Sequence, residues 1–266
     1  MKVLIIKTSS MGDVIHTLPA LTDAITHNKN IQFDWVVEEG FSEIPAWHPA
    51  VNQVIPVAIR RWRKALLTSW PECRAALKAI RATDYDLIID AQGLFKSAVI
   101  THLAHGTRKH GLNKTSSREK RIQWAYDHTH NVPFGPHAVE RVRKLFAKAL
   151  NYPTPTSAPD YGIRKQFKAA KPATPYVVFL VNTTWKTKQY PQAYWKQLVA
   201  LAIDNGFEVK LTSGNDTELA YAKAITKGHK NAEALKRLSI QKVATLLRNA
   251  AGVIAVDTGF AHLAAA

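Results

Sequence analysis

MKVLIIKTSSMGDVIHTLPALTDAI, residues 1–25, is the stretch whose reading decides the fold. Val3 to Ile6 form an unbroken apolar run, which gives way to a loop of small residues, Thr8-Ser9-Ser10-Met11-Gly12-Asp13, and then to helical periodicity. An apolar run that feeds directly into a helix is the first βα unit of a parallel sheet, whose strands are covered on both faces and so do not alternate. The loop then lies at the carboxyl end of its strand, where open α/β sheets place their ligands. Gly12 is expected to let the backbone turn close to a ligand, while Thr8, Ser9 and Ser10 offer hydroxyls and amides, and Asp13 stands where chemistry is done. The plainer role for Asp13 is to cap the next helix. Pro19 cannot donate to Ile15, so that helix either starts near Leu18 under a Thr17 cap or kinks there.

The same rhythm runs outward along the chain. IQFDWVV (31–37) reads as a second strand and VNQVIPVAI (51–59) as a third, ending in Arg60-Arg61-Trp62-Arg63-Lys64. A solvated charge run is the bland account of that cluster, but an exposed Trp among arginines is costly without a partner, which favours a site at the rim of a cleft. YDLIID (85–90) is the next strand, followed by the loop Asp90-Ala91-Gln92-Gly93 and a helix from Leu94 to Leu103. Asp84-Tyr85-Asp86 has the form of a DxD metal motif but precedes its strand, at the wrong end of the sheet. His102 and His105 lack a carboxylate or cysteine companion, so no metal is expected there. Arg108 to Arg121 carries six cations against Glu119 and reads as a basic mobile loop ordered by an anionic ligand. HAVERVRKLFAKAL (137–150) is an amphipathic helix with Val139, Val142, Leu145, Phe146 and Ala149 on its apolar face.

Five prolines between Tyr152 and Tyr176 mark a linker, placed at 156–174, between a domain of residues 1–155 and one of 175–266. The second half restarts the pattern. YVVFLV (176–181) ends in Asn182-Thr183-Thr184, with Lys186 and Lys188 close by and a helix from Pro191. Phe207 to Leu211 ends in Thr212-Ser213-Gly214-Asn215-Asp216, with Glu218 in the next helix. GVIAV (252–256) ends in Asp257-Thr258-Gly259, with His262 on the first turn of a helix. Hydroxyls, glycine and helix-start amides at a strand mouth, with a cation nearby, are how phosphates are held.

Composition narrows the function classes. The 266 residues are 46% hydrophobic, enough for two cored domains, and no run approaches the roughly 20 apolar residues of a membrane span. A single cysteine, Cys73, excludes an intramolecular disulfide and fits a reducing, cytoplasmic compartment. The net charge of +16 predicts a polyanionic partner: nucleic acid, an anionic membrane surface or a phosphorylated substrate. No nucleic-acid recognition module is present, so nucleic acid is not the expected partner. No GxGxxG or P-loop signature appears, and no cofactor is expected.

KTSSMGDVIHTLPAL resembles the amino-terminal signature of the lipopolysaccharide heptosyltransferases, glycosyltransferase family 9, and the later loops continue the resemblance through nearly the whole chain. It implies an α/β GT-B fold, two doubly wound Rossmann-like domains facing a central cleft, with acceptor on the first and nucleotide sugar on the second. It implies metal-independent, inverting transfer of L-glycero-D-manno-heptose from ADP-heptose to the inner Kdo of Kdo-bearing lipid A, by a protein peripheral on the cytoplasmic face of the inner membrane. A later core sugar, or nucleotide-sugar epimerisation on the same fold, is the alternative. The resemblance makes Asp13 the base and gives Lys188 a catalytic as well as a donor-binding part. Thr183, Thr184, Glu218, Leu238, Asp257, Thr258, Gly259 and His262 match the donor positions. Ser10, Arg60, Arg61, Arg63, Lys64, Arg118 and His137 match the acceptor side. Similar enzymes continue beyond AHLAAA with further βα units, so the chain is expected to be part of a longer enzyme.

Overall fold

The computed structural model describes residues 1–266 apart from Thr184 and the side chains of Leu66 and Lys186, and the chain divides into two units, Met1–Ile163 and Arg164–Ala266. The first unit runs β1 (Lys2–Ile6), α1 (Met11–Ile15), α2 (Leu18–His27), β2 (Gln32–Glu38), α3 (Glu43–Ala46), β3 (Val51–Val57), α4 (Ile59–Trp62), α5 (Leu66–Ile80), β4 (Leu87–Asp90), α6 (Phe95–Leu103), β5 (Lys109–Leu112), β6 (His128–His130) and α7 (Ala138–Leu150). Its strands are parallel in the order β3-β2-β1-β4-β5-β6. β1 is central, so Val3 to Ile6 are buried on both sides, which is why the run does not alternate. α2 and α7 pack together. On the opposite face, Ile80 of α5 and Ala104 just after α6 are buried in one cluster with Leu4, Val36, Ile55 and Ile88, and Ala76, Ala79 and Ile100 pack against it.

The second unit runs β7 (Tyr176–Leu180), α8 (Gln192–Asp204), β8 (Glu208–Leu211), α9 (Asp216–Thr226), β9 (Ala232–Ala234), α10 (Ile240–Arg248), β10 (Gly252–Ala255) and α11 (Gly259–Ala265). Its parallel sheet has the order β10-β7-β8-β9. Both sheets reverse direction beside their first strand: the chain winds outward from β1 through β2 and β3, then returns to place β4 on the other side, and β7, β8, β9 and β10 repeat the move. Such a switch point opens a crevice at the strand ends, and ligands bind there.

Several expectations are corrected. A turn of helix, α1, already forms before Pro19, and Gly12 lies buried inside it rather than in a tight turn. The helix restarts at Leu18, but Thr17 does not cap it: its hydroxyl donates back to the Asp13 carbonyl at 2.9 Å. The stretch 108–121 is not loop throughout. It opens as β5, and beyond it Ser116 and Ser117 are buried, with Ser116 Oγ accepting from Val132 N at 2.7 Å and Ser116 O accepting from Arg141 at 2.8 Å. Trp62 is anchored rather than stranded, because its indole donates to Glu72 at 2.9 Å and its ring packs on the α5–α6 core. The placing of Asp84-Tyr85-Asp86 needs no correction: Asp86 accepts from the Lys2 amide at the entry of β1, far from the strand mouths.

Candidate functional site

The first crevice lies between the ends of β1 and β4. Lys7, the residue after β1, is buried and crosses to β4, its ammonium donating to Ala91 O at 2.9 Å while standing 3.7 Å from Asp13 Oδ1. The other Asp13 oxygen accepts from the Ser10 amide at 2.8 Å and from its hydroxyl at 2.9 Å. Burial pushes the Asp13 pKa up, but the Lys7 charge and the Ser10 bonds pull it down further, and the balance lies below the ordinary carboxylate value. For Lys7, burial lowers the pKa and outweighs the attraction of Asp13 and Asp90. Asp13 is therefore an ionised carboxylate with a half-exposed face, while its backbone and Ser10 tie it into the start of α1. The one side chain thus closes onto Ser10 at the start of α1 and keeps an ionised oxygen toward Lys7.

The amides that the loop was expected to offer are already used: Thr8 N and Ser9 N both donate to Gln92 Oε1, at 3.0 and 3.1 Å, and Lys96 donates to Ser9 Oγ at 3.1 Å. Gln92 is held by Asp90, whose Oδ1 accepts from the Gln92 and Gly93 amides at 2.8 and 3.0 Å and whose Oδ2 accepts from Tyr126 at 2.7 Å. Gly93 has φ +68°, a conformation that suits glycine. Gly111 is bare for another reason, since a Cβ there would come within 2.4 Å of the Tyr126 ring.

A cavity of about 100 Å³ opens beside Asp13, lined by Lys7, His16, Gln92, Ser116, Arg118 and Arg141 among others. It brings Arg118 to the expected base. Ser10 bonds Asp13 directly, and His137, at the N-cap of α7, accepts from Val139 N at 3.3 Å and meets His16 edge-on at 5.1 Å. Arg60, Arg61, Arg63 and Lys64 lie on and after α4, at the end of β3. They are not equivalent: Arg61 is held by Glu39 and Glu72, at 3.1 and 2.8 Å, whereas Arg60 approaches the Phe41 ring at 5.9 Å. Lys7, Gln92, Lys96 and Arg141 are site residues that sequence reasoning missed. Lys7 was the findable one, because a cation directly at the end of a buried strand must meet an acid.

The second crevice lies between the ends of β7 and β10. Lys188 donates to Asp257 Oδ2 at 2.5 Å, His262 Nε2 stands 3.8 Å from Asp257 Oδ1, and Thr183 Oγ1 donates to Asp257 O at 3.4 Å. The bond from Lys188 holds the Asp257 carboxyl below its ordinary pKa. Thr258 occupies the position before α11 without a side-chain bond to the helix, and Gly259 is the first helical residue. Thr184 lies outside the described residues. Glu218 and Leu238 stand at the ends of β8 and β9, two and three strands away from β10. Glu218 Oε2 accepts from the Gly214 amide at 2.7 Å, so a carboxylate on the first turn of α9 already takes an amide of the 212–216 loop expected to hold phosphate. Leu238 is half-buried just before α10.

The profile of glycosyltransferase family 9 (heptosyltransferase) matches residues 73–266. Lipopolysaccharide heptosyltransferase 1 of Pseudomonas aeruginosa is 52% identical over all of this chain and 76% of its own length. Two solved structures of the Escherichia coli heptosyltransferase WaaC, one with ADP and one with ADP-2-deoxy-2-fluoro heptose, are 48% identical over the whole chain, with TM-scores of 0.96 and 0.95 over 84% and 85% of theirs.

Proposed function

The chain belongs to glycosyltransferase family 9, the heptosyltransferases, and on that premise we propose that it moves L-glycero-D-manno-heptose from ADP-heptose to the inner Kdo of Kdo-bearing lipid A. The observation that carries the sugar and the core position is the 52% identity, over the full chain, to a heptosyltransferase 1. In this reading the first unit takes the acceptor and the second the donor. The acceptor hydroxyl attacks the anomeric carbon and gives its proton to Asp13, and the bond to the diphosphate breaks with its electron pair leaving on ADP. An Asp13 held ionised supports the role of base.

Lys188 meets the charge gathering on the departing diphosphate, helped by the hydroxyls of Thr183, Thr184 and Thr258. Its pair with Asp257 is largely exposed, and such pairs contribute about 0–1 kcal/mol, so exchanging the carboxylate for a diphosphate costs little. A lysine in that position supports metal-independent transfer, with full turnover in a chelator as the expected result. Glu218 suits the hydroxyls of a ribose better than phosphate, and Leu238 and His262 complete the donor set. Ser10, Arg60, Arg63, Lys64, Arg118 and His137 face the carboxylates and phosphates of the acceptor, with Arg61 the least available because two glutamates hold it. The acceptor's lipid and the +16 charge support peripheral work on the cytoplasmic face of the inner membrane.

The test is incubation with ADP-heptose and Kdo-bearing lipid A, reading ADP release and product mass. Product only from an already heptosylated acceptor moves the enzyme to a later core sugar, and ADP-heptose turned over without transfer favours epimerisation.

A further inference from the structure

Five large apolar side chains described in the first unit stand more than half exposed: Leu67 (94%), Trp70 (63%), Phe95 (58%), Phe134 (53%) and Trp124 (52%). Phe134 is covered in part by the Arg141 guanidinium, 4.2 Å from its ring centroid. The other four share the sheet face that carries α5 and α6. Leu67 and Trp70 open α5 and Phe95 opens α6, while the inner sides of both helices belong to one core cluster. Trp124 lies along the outside of α6, with its ring centroid 6.2 Å from Phe95 and 5.2 Å from His102. Its indole nitrogen is already spent on Arg121 O at 3.1 Å, so what it turns outward is carbon. Scattered exposed rings need no explanation, but several gathered on one face do.

Cations frame the same face. Lys96 follows Phe95, and while burial lowers its pKa, Arg60 and Arg63 add to the lowering against Glu38 and Glu119, which places the α4 cations within reach of α6. Glu119 accepts from the Phe95 amide at 2.5 Å and so draws Arg118, Lys120 and Arg121 to the other flank. Aromatic rings among lysines and arginines match a lipid headgroup layer, where the ring inserts and the cations meet anionic lipid. Among the described residues no helix is long and apolar enough to cross a membrane, so contact of this kind is with the surface.

We propose that the α5–α6 face of the first unit, led by Trp70, Phe95 and Trp124, docks the protein on an anionic phospholipid bilayer, with these rings in the headgroup layer. The proposal deepens the reading of a lipid-borne acceptor and rests on it for its purpose, though its test uses no sugar. The probe is vesicles of phosphatidylethanolamine and phosphatidylglycerol, compared with phosphatidylcholine, and the variant is Trp70→Gln/Phe95→Ser/Trp124→Gln. Wild type is expected to sediment with the anionic vesicles, at least ten-fold better than with the neutral ones, and to lose tryptophan emission when the acyl chains are brominated. The triple variant is expected to bind at least ten-fold more weakly and to lose that quenching, with an unchanged far-ultraviolet circular dichroism spectrum and a cooperative urea transition as the sign of an intact fold. Phe95→Ser alone is expected to shift binding in the same direction and serves if the triple variant is unstable. Equal vesicle binding by wild type and variants overturns the proposal, as does no binding by wild type. A change in self-association with no change on vesicles also overturns it, and gives the face to a second copy of the chain. Turnover of a deacylated, water-soluble acceptor by wild type tests the enzymatic reading separately: its failure would sink that reading and leave the vesicle result standing.

Discussion

Asp13 holds two bonds from Ser10 on one oxygen and faces Lys7 with the other, so its helix-start bonds and the proposed role of base can be separated by substitution. Asn keeps the size and an acceptor for Ser10 but cannot take a proton. Asp13→Asn is expected to lower kcat by about 10²- to 10⁴-fold, the usual worth of a general base, with ADP affinity by calorimetry within a few-fold of wild type. If capping were the whole role, activity would survive, because Asn caps as well as Asp. Lys7 acts through Asp13. With Lys7→Met the opposing charge is gone while burial remains, so the acidic limb of the kcat–pH profile should move up by about 1 to 3 units, the usual effect of a close opposite charge. An unmoved limb would mean that another group titrates. At this scale the position of Asp13 at a strand mouth was legible from the apolar run before it, whereas the approach of Gln92 and Arg141 was not, since nothing in their local pattern says that the fold carries them about 80 and 130 residues back to the same loop.

At the scale of elements, α7 shows what periodicity reads and what it hides. Val139, Val142, Leu145, Phe146 and Ala149 are buried as the stripe predicts, and so is Arg143, a charge set four residues after Val139 and three before Phe146 on the same side of the helix. Its guanidinium meets both oxygens of Asp23 on α2, at 2.6 and 2.9 Å, and donates to Ser157 O at 2.8 Å. The partner lies 120 residues away, so only the fold reveals it. Breaking a buried pair strands a charge, and Arg143→Met is expected to cost about 3–5 kcal/mol in urea unfolding, while Asp23→Leu in the same chain recovers most of it. A loss below about 1 kcal/mol would mean that the pair is solvated. Strands fared as helices did: β1, β2, β3, β4, β7, β8 and β10 were readable, β1, β4 and β7 from mainly apolar runs and β8, EVKL, although charged and apolar residues alternate in it. β5, with His110 and Gly111, is a strand only because β4 and β6 flank it.

Across the whole molecule, the two-sheet α/β organisation was legible from the repeated run-loop-helix pattern, and the order of strands was not, because local pattern carries no register. One consequence of packing at this scale is a dependence of stability on pH. His48 is buried, its Nδ1 accepts from Ala50 N at 3.2 Å, and Nε2 therefore carries the proton toward Thr22 at 3.0 Å. Gly162, at φ +70°, lies so close that a Cβ would reach Nε2 at 2.6 Å. Burial lowers the His48 pKa to about 4, against some attraction from Asp160. The unfolded chain takes up a proton near pH 6.5 and the folded chain does not, so this stability is complete above about 6.5 and is lost as pH falls toward 4. The 2.5-unit gap corresponds to about 3 kcal/mol, and urea unfolding at pH 5 and pH 7 should show a slope that His48→Gln removes. The parallel winding also has a consequence in time. β1 gains its first neighbour at Gln32–Glu38 and its second only at Leu87–Asp90, so at a synthesis rate of about 5–20 residues per second the nascent chain waits roughly 3 to 10 s between the two. For that interval the strand that leads into the Asp13 loop is an unfinished edge, open to pairing with any other chain on the ribosome's doorstep, and the most protected residues of the finished protein are its most vulnerable while it is being made.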